Sequence, residues 1–102
     1  MLQSKARKYL KGRAHGLKPV VSVGKEGLTE ALVAEIERTA ASLELIKVRL
    51  LTNIPEQQDK LIEALAGRLQ GEIVGRTGHV VIYFRPGKEK SAYPELAQFD
   101  AV

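Results

Sequence analysis

The chain contains no cysteine. That excludes disulfides, thiolate metal sites and cysteine nucleophiles, and it points to an intracellular protein, with the cytoplasm as the expected location. It contains no long apolar run; nothing approaches the ~20 residues that a membrane-spanning helix needs. The basic N-terminus, MLQSKARKYLKGRAHG, lacks the apolar stretch of a secretory signal. No Walker A loop and no dinucleotide-binding glycine fingerprint occur. The two histidines, His15 and His79, have no acidic neighbour at a metal-binding or triad spacing, so neither a metal nor a catalytic role is expected. The composition predicts a non-enzyme without cofactors.

What is missing from residues 1–25 is negative charge. That segment holds Lys5, Arg7, Lys8, Lys11, Arg13, Lys18 and Lys25 and no acid. Residues 26–85 hold seven cations against nine acids, so the net charge of +4 comes from one end of the chain. Charge concentrated in this way predicts a polyanionic partner. A membrane surface fits less well, because the apolar stripe of the basic helix is narrow.

The 102 residues suit one domain, and a hydrophobic fraction of 44% is enough for a core. Residues 4–15 read as a helix with Ser4 at its start, Gly16 at its end and Ala6, Tyr9, Leu10 and Ala14 as its stripe. Residues 18–23 read as a strand opened by Pro19. Thr29 caps a helix over 30–43 whose stripe is Leu32, Ile36, Ala40 and Leu43. Its glutamates, Glu37 included, read as a solvated face. Residues 45–52 form a second strand, with Ile46, Val48 and Leu50 on one side and Lys47 and Arg49 on the other. Those two cations suit a solvated face and an RNA-facing one equally.

Asn53-Ile54-Pro55 opens a third helix with Leu61, Ile62, Leu65 and Leu69 as its core face. Strands over 72–75 and 79–85 follow, with Gly75-Arg76-Thr77-Gly78 at the bend between them. Beyond Pro86-Gly87 the periodicity stops, which marks a tail that either lies on the domain or stays mobile. The predicted order is α-β-α-β-α-β-β: an α+β sandwich with a four-stranded mixed sheet packed by helices.

Two glycine pairs enclose a cation, Gly24-Lys25-Glu26-Gly27 and Gly75-Arg76-Thr77-Gly78. Each alone is an ordinary turn. Glycines nevertheless let a backbone approach a phosphate chain closely, and Arg76 would bring a guanidinium to it. Glu26 argues against the first pair touching phosphate, so Gly24 and Gly27 read as a structural connection. His79 could stack on a base or approach a phosphate. Tyr83 is one possible stacking residue and equally a sheet-packing one.

The run from Leu17 to Thr29, LKPVVSVGKEGLT, resembles the opening motif of the CRM domain (chloroplast RNA splicing and ribosome maturation) in its bacterial single-domain, YhbY-like form. Glu44-Leu45-Ile46-Lys47-Val48-Arg49 resembles that family's second strand. Val74-Gly75-Arg76-Thr77-Gly78 with Val81-Ile82-Tyr83-Phe84-Arg85-Pro86 resembles its loop and last strand. The resemblance implies a domain over 1–88 and a tail over 89–102, with a fold like the C-terminal domain of translation initiation factor three. It implies an RNA-binding protein that associates with precursors of the large ribosomal subunit. By position, Gly75, Arg76, Thr77 and Gly78 correspond to the family's RNA-contacting loop. The full set of expected RNA-binding residues is Lys5, Lys8, Lys11, Arg13, Lys18, Lys47, Arg49, Gly75, Arg76, Thr77, Gly78 and His79. A monomer is the expected state. The alternative is a protein-interaction module whose basic helix meets a ribosomal protein or assembly factor.

Overall fold

The computed structural model describes residues 4–24, 26–86 and 93. The order is α1 (Ser4–Ala14), β1 (Val21–Val23), α2 (Glu30–Leu43), β2 (Leu45–Leu50), α3 (Pro55–Arg68), β3 (Glu72–Thr77) and β4 (Val80–Phe84). The four strands form one sheet in the order β1-β2-β4-β3. β1 and β2 are parallel; β4 runs antiparallel to both β2 and β3. This is the mixed, four-stranded α+β sandwich that the pattern predicts. Lys25 and the expected tail, apart from Tyr93, lie outside the described residues.

Strand alternation divides the core in two. On one face Ile46, Val48, Val81 and Tyr83 meet Ile36 and Ala40 of α2 and Leu65 of α3. On the other, Leu45, Val74, Ile82 and Phe84 meet Ala6, Leu10 and Ala14 of α1. Small residues at positions 6 and 14 let α1 lie close to the sheet, and Leu10 between them is fully buried. Leu43, expected in the α2 stripe, is half exposed, because the chain reverses immediately after it at Glu44, which has φ +66°.

The helix starts have different causes. Thr29 Oγ1 accepts the Leu32 N–H at 3.1 Å and caps α2. α3 begins at Pro55, where a missing N–H costs nothing, and Ile54 before it makes no side-chain cap. Thr52 instead organises that entry. Its Oγ1 accepts the Ile54 N–H and donates to Gln57 Oε1, while its carbonyl accepts from Gln58 Nε2.

Tyr83 is a core residue, not a stacking surface. It is fully buried, donates its hydroxyl to Glu37 Oε1 and accepts the Gly71 N–H at 2.7 Å. Burial first, then the Glu37 carboxylate, pushes its pKa well above the ordinary tyrosine value. Glu37 is accordingly no solvated bystander: its other oxygen accepts the Gln70 N–H. The pattern of α2 alone could not reveal this, since both partners arrive from more than thirty residues away in sequence.

Candidate nucleic-acid interface

The hairpin between β3 and β4 is tighter than the 75–78 bend expected. Register pairs Thr77 with Val80, so the turn is the two residues Gly78-His79, and Gly75 and Arg76 belong to the strand. Gly78 has φ +59° and His79 does not lie at positive φ. A positive first position alone is the signature of a type II′ turn, whose twist suits a hairpin and which needs glycine there. The His79 carbonyl accepts the Leu50 N–H at 2.7 Å, which ties the tip to the end of β2.

A bulge decides where the side chains of β3 go. Ile73 pairs with Tyr83 and Gly75 with Ile82, leaving Val74 as the extra residue. Val74 packs in the α1 core and Gly75 lies under Lys11, so two consecutive residues face α1. One extra residue reverses the facing of everything after it. Regular alternation would turn Arg76 toward α1. With the bulge it turns to α3, where its guanidinium donates to Asp59 Oδ1 and Gln58 Oε1, each at 2.6 Å, and to the Gly78 carbonyl at 3.0 Å. The Arg76 side chain therefore clamps the hairpin to α3 instead of extending from its tip. Glycine inside a strand was the one sequence signal for such a bulge.

α1 runs along β3 toward the hairpin turn. Arg7 pairs with Glu72 at the start of β3 at 2.9 Å, and Lys11 reaches Gly75 further along. Lys5, Lys8 and Lys11 recur at three-residue spacing on one exposed side of the helix. Past Lys11, the end of α1, β2, β4 and the hairpin enclose an open groove of about 490 Å³. Lys11, His15, Lys47, Arg49, Thr77 and His79 line it, over a floor that includes Ala14 and Ile82, and Arg76 borders it although its guanidinium is held against α3. Among the described residues no carboxylate lines it. Lys47 and Arg49 thus share a face with α1.

The remaining expected residues fall around this groove. Lys18 is exposed before β1, and Gly78 is exposed at the turn. Arg13 does not line the groove: its guanidinium stands 5.4 Å from the centre of the Tyr93 ring, which in turn meets Phe84 edge-on. His15 joins the groove without any sequence signal, because only the direction of α1 brings it there. The opposite face has the other sign. α2 and α3 carry six carboxylates, Glu30, Glu35, Glu37, Glu56, Asp59 and Glu63, against three cations, Arg38, Lys60 and Arg68. Among the described residues the sandwich is electrically two-sided, with the cations concentrated on the α1 side, the sign that suits a polyanion.

A helix, a mixed sheet and two further helices, with one basic face organised around a glycine-containing hairpin, define a small α+β binding module. The chain belongs to the CRS1/YhbY (CRM) domain family, whose profile matches residues 2–85. It is 39% identical to an RNA-binding protein of Haemophilus influenzae, over 86% of this chain and 89% of that one. It is 32% identical to YqeI of Bacillus subtilis, named a probable RNA-binding protein, over 87% of this chain and 93% of that one. The solution structure of SAV1595 from Staphylococcus aureus superimposes with a TM-score of 0.78 at 33% identity, covering 89% of this chain and 95% of that one.

Proposed function

We propose that the protein binds RNA through its α1 face and assists assembly of the large ribosomal subunit as a cytoplasmic, non-enzymatic factor. The observation that carries the RNA reading is the groove, free of carboxylates among the described residues, in which Lys11 of α1 and Lys47 and Arg49 of β2 meet the hairpin tip. Cations so placed neutralise phosphates and release counterions, while Thr77 and the turn at Gly78-His79 admit the backbone closely. Lys5 and Lys8 extend the positive surface along α1. In this reading Arg76 acts by fixing the tip against α3. Family membership and the relatives' names support RNA as the partner. The ribosomal precursor is the finer part of the proposal and rests on the resemblance of the motifs.

The test is association of the protein with large-subunit precursor particles, with and without ribonuclease. Association is expected to disappear with the RNA and to weaken in the double variant Lys47→Ala/Arg49→Ala. Association that survives complete RNA removal would favour docking on a ribosomal protein or assembly factor instead.

A further inference from the structure

The first glycine pair, which the phosphate-binding reading leaves unused, borders a second and larger concavity. It opens where β1 and β2 end, between Gly24 and Gly27 on one side and residues 51–54 on the other, and measures about 770 Å³. Its walls are apolar at Leu51, Ile54 and Leu61 and polar at Asn53, Gln57 and Lys60. Leu51 is 54% exposed and Ile54 49% exposed, so two large aliphatic side chains face solvent side by side in one recess.

Gly24 and Gly27 line that recess beside its apolar wall. A Cβ at Gly24 would sit 3.9 Å from Leu51 Cδ1, and one at Gly27 would sit 3.9 Å from Leu61 Cδ2. Gly27 also has φ +75°, which other residues rarely adopt. The polar groups are arranged for an edge. Gln57 takes the Thr52 hydroxyl on Oε1, which leaves its amide N–H groups to donate. Asn53 is exposed and adds a second carboxamide, with both donor and acceptor.

The recess is continuous with the basic groove. A shallow depression lined by Arg49, Leu51, Thr52, Asn53 and His79 lies between them. It shares Arg49 and His79 with the groove and Leu51, Thr52 and Asn53 with the recess. A nucleic-acid strand has this alternation of properties: anionic backbone in one place, flat apolar base with a hydrogen-bonding edge in another. Duplex RNA hides its bases, so a base reaches such a recess only from an unpaired segment.

We propose that the recess between Gly24, Gly27 and residues 51–54 receives an unpaired base of a single-stranded RNA segment whose phosphates lie in the basic groove. The inference rests on the RNA-binding reading and narrows it to RNA containing an unstacked nucleotide. Leu51 and Ile54 cover the faces of the base, as apolar side chains do in other pockets that take extruded bases. Asn53 and Gln57 meet its edge, and Lys60 lies near the next phosphate.

The test uses the full chain, the double variant Leu51→Ser/Ile54→Ser and three fluorescent probes. These are a short single-stranded RNA of mixed sequence, the same strand with its central bases removed, and a blunt duplex RNA. Both substituted positions are exposed, and circular dichroism with a thermal midpoint checks that the variant folds. The variant is expected to bind the intact single strand about tenfold more weakly, the scale of losing apolar burial of the base against two aliphatic side chains. It should bind the base-free strand and the duplex as the parent does, with an unchanged salt slope. The Leu51 and Ile54 methyl resonances of the parent should shift with the intact strand and stay in place with the base-free one. Equal affinity of parent and variant for the intact strand would overturn the base recess while leaving groove binding intact. Failure of the parent protein to bind any of the three probes would overturn the RNA reading itself, and the recess with it.

Discussion

The stem of Lys11 lies across Gly75 so closely that a Cβ at position 75 would stand 2.7 Å from Lys11 Cε and 3.2 Å from its Cδ and Cγ. The glycine of the hairpin strand therefore serves the basic helix: it gives the lysine a bed along which to reach the groove. Lys11 is flexible and exposed, so Gly75→Ala is expected to change folding stability by no more than about 0.5 kcal/mol. It should nevertheless weaken RNA binding and flatten the salt slope by about 0.7 to 0.9, the value of one phosphate contact. Lys11→Ala should do the same. Unaltered RNA titrations for both variants would remove Lys11 from the interface.

Arg76 predicts the reverse combination. Arg76→Ala removes the Asp59 ion pair and the donor to Gln58, a nearly buried amide that also holds the Thr52 carbonyl. A surface pair contributes little by itself, but an amide left without its donor adds to the loss, so about 1 to 2 kcal/mol is expected in urea unfolding. The salt slope of RNA binding should stay as in the parent. A slope reduced by one contact would mean that the guanidinium leaves Asp59 to meet phosphate. Asp59→Ala, which deletes only the carboxylate, should not weaken RNA binding.

Ionic strength tests the groove as a whole. If about four phosphates are neutralised, the logarithm of affinity should fall against the logarithm of salt concentration with a slope of about −3 to −4. Fluorescence anisotropy over a range of potassium chloride measures it. A flat response would sink the electrostatic mechanism.

Stability should fall in alkali because of Tyr83. Its folded-state pKa lies above the unfolded value of ~10. Below pH ~10 both states keep the proton and the contribution is complete. Above it the unfolded chain ionises first, and stability declines by up to about 1.4 kcal/mol per pH unit for this group. Burial raises Tyr93 in the same direction, so Tyr83→Phe should make the decline shallower without abolishing it. At neutral pH the same substitution leaves Glu37 and the Gly71 N–H without their partner and should cost about 1 to 3 kcal/mol. Urea melts at stepped pH measure both effects. An equally steep alkaline decline in Tyr83→Phe would show that Tyr83 is not its source.

Much of the fold was legible because it is local. The α2 range of 30–43, the Pro55 start of α3 and the opposite facing of Lys47 and Ile46 follow from 3.6- and 2-residue periods, and each matches the structure. The interface was legible only as a list of cations. Lys11, Lys47 and Arg49 do converge on one groove, whereas Arg13 turns to Tyr93 and the Arg76 guanidinium to α3. The Gly24 and Gly27 pair read as a simple connection and proved to border a recess larger than the basic groove. Exposed aliphatics such as Leu51 and Ile54 have no sequence signature until the loop they face is in place.

The sequence by itself determined the elements, their order, the two-sided sheet and the concentration of positive charge at one end, since propensity, period and charge are properties of short segments. Tertiary structure decided which cations lie together. Two long-range facts did so: α1 runs along β3 toward the hairpin, and the bulge at Val74 reverses the facing of Arg76. Both depend on how two separate segments pack and register against each other, and no single segment carries that information.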